Sequence, residues 1–239
     1  MLQEYDYRHE DSTLLSNIDL YKIFNNYRVN KYIIGILLAL KKTHLSEYKV
    51  LEAGCGNGDK TRMFTELRVK PKNCYGIDIN EKAISLCQEL SPSSMNFQVG
   101  SVLDMPYENK QFDIVLCSGL FSAVGGEPNI KKTSEEISRV MADDGVMFVI
   151  DINENFHNIY GTNKAVLDKN FTHFNSQNGE LESLLKKEFK NVHHMHIFSA
   201  DSYRVGEQAA DVSKLSFIDS ELDKGFEGSA YSMWVFNKR

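Results

Sequence analysis

Hydrophobic and polar residues follow two alternating patterns along residues 48–152. Short continuous apolar runs bounded by turn residues alternate with stretches in which apolar residues recur every three or four positions. The first pattern is typical of strands buried on both faces, and the second is typical of amphipathic helices. Their alternation predicts an α/β fold, a parallel sheet with helices on both faces. The predicted strands are 49–53, 74–79, 96–102, 112–117 and 146–150, and the predicted helices between them are 60–67, 81–90 and 131–141.

The residues before this central part predict a helical cap. Asn30 can cap a helix over 30–41 with a broad apolar face, and residues 1–26 are expected to form an extended or partly helical arm. The most apolar run, 32–40, is shorter than the roughly 20 residues that span a bilayer. The chain starts with polar and acidic residues, so we predict a cytoplasmic protein without a secretory signal or a membrane partner.

The periodicity breaks after Asp151. Residues 153–177 are rich in Asn, His, Phe and Tyr and show no clear pattern, and a helix is predicted over 180–189. The last two predicted strands are 192–198 and 230–236. Two final strands separated by an insertion predict an antiparallel hairpin at the edge of the sheet.

Length, charge and cysteine usage narrow the function classes. The 239 residues suffice for one α/β domain with a single core, divided into an N-terminal cap or arm over 1–43, a core over 44–152 and a final part over 153–239. A formal charge of −6 argues against DNA and disfavours RNA as a partner. The four cysteines lack metal-ligand spacing, so we expect buried free thiols and no metal site.

The chemistry centres on the sequence VLEAGCGNG at 50–58. A short apolar run leads into three glycines at every second position, followed by the predicted start of a helix. Such a turn lets a ligand lie against backbone N–H groups at a helix N-terminus. A phosphate-binding Walker loop and a dinucleotide fingerprint both need a glycine where Asp59 stands. A carboxylate there would also repel a pyrophosphate, which disfavours NAD and FAD.

Acidic residues on both sides of the turn favour a cationic cofactor without phosphate. Glu52 precedes the glycines, and Asp78 ends the next predicted strand about 20 residues beyond the turn, where it can accept both ribose hydroxyls. S-adenosylmethionine carries a sulfonium and an ammonium group. The charge pattern therefore favours S-adenosylmethionine.

Five ordered motifs carry a resemblance to a known family. The chain resembles class I S-adenosylmethionine-dependent methyltransferases over roughly residues 48–152. The resemblance implies a Rossmann-like, mostly parallel seven-stranded sheet with an antiparallel edge hairpin. The motifs are VLEAGCGNG at 50–58, GIDIN at 76–80, GSVLDMPY at 100–107, FDIV at 112–115 and RVMADDG at 139–145.

The resemblance also implies the roles of individual residues in cofactor binding. The first strand and turn would hold the methionine part, the end of the second strand would bind ribose and adenine, and the later strand ends would line the adenine edge and the methionine end. In that order, the residues are Glu52, Ala53, Gly54 and Gly56; Asp78 and Ile79; Ser101 and Val102; and Cys117 or Ser118. Many relatives have an aspartate where Ser101 stands, and many have a histidine shortly after the fourth strand, where 120–124 has none.

Asp151 and His157, just past the fifth predicted strand, are the candidates for a catalytic base, with Tyr160 and His173 behind them. Histidine suits this role because its pKa lies near working pH. A loop histidine without a role is an equal alternative, and methyl transfer can proceed by alignment alone. A separate group of histidines at 193, 194 and 196 lies on a predicted edge strand, where no third metal ligand with suitable spacing is evident.

The sequence thus predicts an enzyme that transfers a methyl group from S-adenosylmethionine to an oxygen or nitrogen and releases S-adenosylhomocysteine. Residues 1–43, 153–177 and 199–230 would build the acceptor pocket. The first candidate acceptor is a sugar hydroxyl in a bacterial glycan or secondary-metabolite pathway. A small-amine N-methyltransferase, a tRNA-modifying enzyme and a non-catalytic Rossmann-like binding module stay open as alternatives, as does the oligomeric state, a homodimer included.

Overall fold

The structure is a computed structural model that describes residues 20–153, 174, 178–198 and 231–239. Strands and helices alternate along its first part, as the sequence predicts. The helices are α1 (Leu20–Ala39), α2 (Asp59–Glu66), α3 (Glu81–Leu90), α4 (Leu120–Ala123), α5 (Gly126–Val140) and α6 (Glu180–Leu185). The strands are β1 (Val50–Ala53), β2 (Cys74–Asp78), β3 (Asn96–Val99), β4 (Phe112–Ser118), β5 (Met141–Ile152), β6 (Phe189–Phe198) and β7 (Tyr231–Lys238).

These strands form one seven-stranded sheet in the order β3-β2-β1-β4-β5-β7-β6. The pairs from β3 to β5 are parallel, whereas β7 is antiparallel to both β5 and β6. The predicted fold class is therefore confirmed: a Rossmann-like, mostly parallel sheet with an antiparallel edge hairpin. The strand order reverses between β1 and β4, and ligands of open α/β sheets bind at such a point, outside the carboxyl ends of the strands.

Two hydrophobic cores cover the two faces of the sheet. Alternate residues of the central strands point to opposite faces, so neighbours along one strand belong to different cores. On one face Leu116 and Phe148 pack with side chains of α1, α2 and α3, and on the other Val115 and Val149 pack with α4, α5 and α6. The central strands are buried on both sides, which explains their continuous apolar runs.

Some predicted boundaries are wrong. Helix α1 begins at Leu20, ten residues before the predicted cap Asn30. Val29 and Ile33 both lie in the core, so the helix packs on the sheet across Asn30 and this packing outweighs the capping preference. Helix α5 begins at Gly126 rather than near residue 131, with Pro128 in its first turn. Proline is tolerated there because the first N–H groups of a helix have no partner within the helix.

The end of β3 and the start of β5 also differ from the sequence prediction. Strand β3 ends at Val99, three residues early. Strand β5 begins at Met141 and includes the predicted turn, where its register against β4 shifts between Phe112 and Ile114. The turn is therefore an irregularity within one strand. None of the helices in the described part of the chain combines the length and hydropathy that crossing a bilayer requires.

Candidate active site

The glycine turn after β1 adopts a backbone that favours glycine. Gly54, Gly56 and Gly58 have φ angles of 72°, 52° and 79°, in the left-handed region. A Cβ on Gly58 would lie 2.9 Å from Cys87 Sγ. The turn is tied to β2 because the N–H of Gly54 donates to the Ile77 carbonyl at 2.9 Å. Bare backbone is thereby held at the carboxyl edge of the sheet.

Asp78, at the end of β2, connects the glycine turn to the start of α3. Its Oδ2 accepts the N–H of Gly56 at 2.9 Å and its Oδ1 accepts the N–H of Asn80 at 3.0 Å. A carboxylate has about four acceptor positions, so each oxygen can accept one further hydrogen bond. Asp78 is half-buried, and its free acceptor positions suit two hydroxyl groups of a ligand.

Glu52 lies almost fully buried beneath the same turn, with 3% of its surface exposed. Its Oε2 accepts a hydrogen bond from the hydroxyl of Thr61 on α2. Burial raises the pKa of Glu52 from 4.5 to about 7, although the positive charge of Lys60 and the Thr61 hydrogen bond oppose the change. The sequence analysis missed Thr61, whose place on the first turn of the helix after the glycines could have indicated this contact.

Asp151 fixes the turn that follows β4. Its carboxyl group is fully buried; Oδ2 accepts the N–H of Ser122 at 3.1 Å and Oδ1 accepts the N–H of Ile152 at 2.9 Å. Burial raises its pKa from 3.8 to about 6, while the hydrogen bonds from Ser122, Ile152 and Phe121 act in the opposite direction. The structure therefore places this candidate base against backbone amides of α4 and β5.

Ser101 and Val102 lie near the start of the loop between β3 and β4. Ser101 Oγ accepts the N–H of Leu103 at 3.1 Å, which leaves its hydroxyl hydrogen available to a ligand. Val102 is 4% exposed, and Ile79 at the end of β2 is half-buried. Ile79 and Ser101 thus have surface at the edge where the adenine ring is predicted to lie.

Cys117 does not have surface at the site. It is fully buried within β4, between Ala53 of β1 and Val149 of β5, and burial raises the pKa of its thiol. Ala53 is fully buried as well, so both side chains pack in the core. Ser118, the next residue of β4, is half-buried and lies at the strand end. The candidates His157, Tyr160 and His173 lie outside the described residues.

Arg139 on α5 holds the later part of the loop between β3 and β4. Its guanidinium donates to the carbonyls of Met105 and Tyr107, both at 2.7 Å, and to Glu136 Oε2 at 2.8 Å. Glu136 in turn accepts the N–H of Met105 at 2.8 Å, and its hydrogen bond to Arg139 lowers the pKa of its carboxyl group. This planar arrangement of donors needs arginine.

We expect Arg139→Ala to lower the free energy of unfolding by about 2 kcal/mol, because two partly buried carbonyls and Glu136 lose their donor. Urea denaturation measures this change, and hydrogen exchange should show faster exchange at the Met105 and Tyr107 amides. Lys131→Ala is the matched control on the same helix. It removes an exposed ion pair with Glu127 and should cost about 0.5 kcal/mol or less. Equal losses in both variants would contradict the proposed contribution of Arg139.

Comparison with known proteins assigns the family. The model of a family described as "Methyltransferase domain" matches residues 44–209. The chain belongs to this methyltransferase family. Among curated relatives, an uncharacterized methyltransferase, YcgJ of Bacillus subtilis, is 28% identical over 54% of this chain and 48% of the relative. Phthiotriol/phenolphthiotriol dimycocerosates methyltransferase 1 of Mycobacterium ulcerans is 29% identical over 45% of this chain and 39% of the relative. The chain thus spans less than half the length of both relatives.

A solved structure shows the same fold. An S-adenosylmethionine-dependent methyltransferase from Mesorhizobium loti superposes with a TM-score of 0.58 at 13% identity, covering 84% of this methyltransferase chain and 96% of the other. At this identity the likeness shows the fold alone. The family resemblance predicted from the five motifs is confirmed by the family match.

Proposed function

We propose that this methyltransferase transfers a methyl group from S-adenosylmethionine to an oxygen or nitrogen of a small molecule. The observation that carries this proposal is the pairing of the positive-φ glycine turn with Asp78, whose carboxylate accepts the Gly56 N–H and retains acceptor positions for ribose hydroxyls. The membership of the chain in the methyltransferase family supports it.

The charges around the turn fit this cofactor. Glu52, Asp78 and Asp151 lie near the carboxyl ends of β1, β2 and β5, so the edge of the sheet is acidic. An acidic edge suits a sulfonium and an ammonium group and opposes a pyrophosphate. In this assignment Glu52 and the Gly54–Gly56 backbone hold the methionine part and Asp78 binds the ribose. Ile79, Ser101 and Val102 line the adenine.

The bound cofactor would supply an activated methyl group, and the chain would align the acceptor with it. Alignment of the reacting atoms is a large part of catalysis in such displacements. Asp151 fits a positioning role here, because its carboxyl group fixes the α4 turn beside the end of β4. The role of His157 as a base stays a prediction.

A sugar hydroxyl is the first candidate acceptor. The net charge of −6 opposes a nucleic-acid acceptor. The relatives include one named a fatty-acid O-methyltransferase and one named an ajmaline N-methyltransferase, so their names leave oxygen and nitrogen acceptors both open. N-methylation of a small amine, modification of tRNA and a non-catalytic binding role are the alternatives.

Thermal unfolding with added nucleotides tests the cofactor assignment. We expect S-adenosylmethionine and S-adenosylhomocysteine to raise the melting temperature and NAD to leave it unchanged. A rise in melting temperature with NAD alone would assign NAD as the cofactor instead. No rise with any of the three compounds would favour the non-catalytic binding module. Mass spectrometry of candidate sugars and amines incubated with enzyme and S-adenosylmethionine should then show the mass of one added methyl group on the sugar.

A further inference from the structure

A cluster of polar side chains lies where β5, β7 and β6 meet at the carboxyl edge of the sheet. It consists of Asn153 after β5, Ser232 near the start of β7 and His196 near the end of β6. Asn153 and Ser232 are fully buried, and His196 is half-buried. Because β5 and β6 are both antiparallel to β7, they run in the same direction, and this cluster lies at the same edge as Asp78.

The hydrogen bonds of the cluster fix the tautomer of His196. Asn153 Nδ2 lies 3.0 Å from Ser232 Oγ and 3.3 Å from His196 Nδ1, and Ser232 Oγ lies 3.0 Å from His196 Nδ1. An amide N–H can only donate, so Ser232 Oγ and His196 Nδ1, which both lie within reach of Asn153 Nδ2, are acceptors toward it. The Ser232 hydroxyl can then donate its own hydrogen to Nδ1. Nδ1 therefore carries no hydrogen, and the ring hydrogen lies on Nε2.

Aromatic contacts hold the imidazole from the other side. The ring of His194 meets that of His196 edge to face, with centroids 5.3 Å apart, and stacks on Trp234 at 5.0 Å. Trp234 is itself fixed, because its Nε1–H donates to Glu182 Oε1 at 2.9 Å. Within the described ranges of the chain, every hydrogen bond of His196 is made through Nδ1. The oriented Nε2–H is thus left for a further partner.

The strand order places this group away from the reacting atoms. His196 lies three strands from β4 in the order β4-β5-β7-β6. With neighbouring strands about 4.8 Å apart, that separation is about 14 Å. The distance is too long for a base at the methyl group that the end of β4 would border. It suits contact with a remote part of the acceptor.

We propose that His196 binds the methyl acceptor by donating a hydrogen bond from Nε2–H to an uncharged oxygen of a sugar, away from the methylated atom; this rests on the proposed methyl transfer. Asn153 and Ser232 are positioning residues that fix the tautomer. Asp151 lies opposite Ser232 in the sheet, and Glu182 contacts Trp234, so two carboxyl groups nearby disfavour an anionic ligand.

Nuclear magnetic resonance of the full chain with ¹⁵N-labelled histidine tests this site. The protein is saturated with S-adenosylhomocysteine and titrated with the methyl glycosides of glucose, galactose and mannose, and with acetate. We expect the Nε2–H tautomer of His196 and a saturable shift of its Nε2 resonance with at least one glycoside. His196→Phe should weaken that binding about 3- to 10-fold, as for one lost hydrogen bond, and His196→Gln, which keeps a donor, should partly restore it.

Two further variants separate binding from a merely structural role. His193→Phe is the matched control, because His193 is exposed on the same strand and lies three positions from His196, on the opposite face of the sheet. This variant should leave glycoside binding unchanged. Asn153→Asp replaces a donor with an acceptor, so the Ser232 hydroxyl should turn toward it and the hydrogen of His196 should move to Nδ1. With the hydrogen moved away from Nε2, glycoside binding should weaken as it does in His196→Phe, and unchanged affinity would contradict the positioning role of Asn153.

An unmoved Nε2 resonance with all three glycosides, or equal glycoside binding by His196→Phe and the unaltered protein, would overturn the proposal. An Nδ1–H tautomer in the unaltered protein, or a response to acetate alone, would do the same. Failure to bind S-adenosylhomocysteine would instead count against the proposed function. The glycoside titration is therefore repeated in cofactor-free protein, where the His196 response is read independently.

Discussion

Replacing Asp78 with alanine should lower the affinity for S-adenosylmethionine by at least about 100-fold. Hydrogen bonds to a charged group contribute about 1.5–3 kcal/mol each, and in the proposed site the variant would lose two to the ribose hydroxyls. It also removes the acceptor of the Gly56 and Asn80 amides, so the turn that would hold the methionine part loses one of its hydrogen bonds to β2. Isothermal titration calorimetry measures the affinity directly.

The control for Asp78 is another aspartate at the opposite end of the sheet. Asp144 lies before the regular part of β5, and its side chain is 88% exposed. Asp144→Ala changes the net charge equally but should leave the affinity within about 2-fold, because exposed charges act weakly across a protein in salt. Asp78→Asn keeps the size of the side chain and should retain part of the binding. Unchanged affinity in Asp78→Ala would remove Asp78 from the cofactor site.

Glu52→Gln should change how stability depends on pH. The pKa of Glu52 is raised from 4.5 in the unfolded chain to about 7 in the folded protein, so the folded state binds this proton more tightly. The resulting stabilisation is fully present below pH 4.5 and is lost as the pH rises through about 7. Between about pH 5.5 and about pH 8, protonation of Glu52 should therefore contribute about 2 kcal/mol less to the free energy of unfolding of the unaltered protein. Glu52→Gln has no such contribution to lose.

Urea denaturation of both proteins at the two pH values measures this difference. The free energy of unfolding of Glu52→Gln, relative to the unaltered protein, should rise by about 2 kcal/mol at the higher pH. The contributions of other titrating groups to the pH dependence of stability are the same in both proteins and cancel. These groups include Asp151, whose raised pKa of about 6 also lowers stability as the pH rises, and Glu136, whose lowered pKa has the opposite effect. A relative stability that does not change with pH would show that Glu52 is not buried in its charged form.

The Glu52 variant also bears on the proposed site. If the ionised carboxylate helps to hold the cationic cofactor, protonation near pH 7 should weaken binding. Glu52→Gln would then bind S-adenosylmethionine weakly at every pH. The stability measurement in cofactor-free protein and the binding measurement thus separate burial of Glu52 from its role toward a ligand.

Much of the cofactor-binding half could be predicted from local sequence. The bounds of α3 match the prediction to the residue, and β1, β2 and β4 match within one residue, because continuous apolar runs and helix-breaking residues act over short distances. Because the carboxyl ends of parallel strands lie at the same edge of a sheet, the sequence also predicts that Glu52 and Asp78 lie at one edge. Asn30 lies inside α1 rather than at its start, because the packing of its neighbour Val29 outweighs the local capping preference.

The sequence by itself determined the strand–helix alternation, the glycine turn and the acidic residues beside it, since each depends on neighbours along the chain. Only the tertiary structure decided which distant side chains meet. Thr61 reaches Glu52 because α2 packs on β1, and Asp151 faces the amides of α4. Asn153, His196 and Ser232 are separated by up to 79 positions and meet because β7 inserts between β5 and β6. Strand order is set by packing of the whole sheet, so no local pattern encodes this cluster.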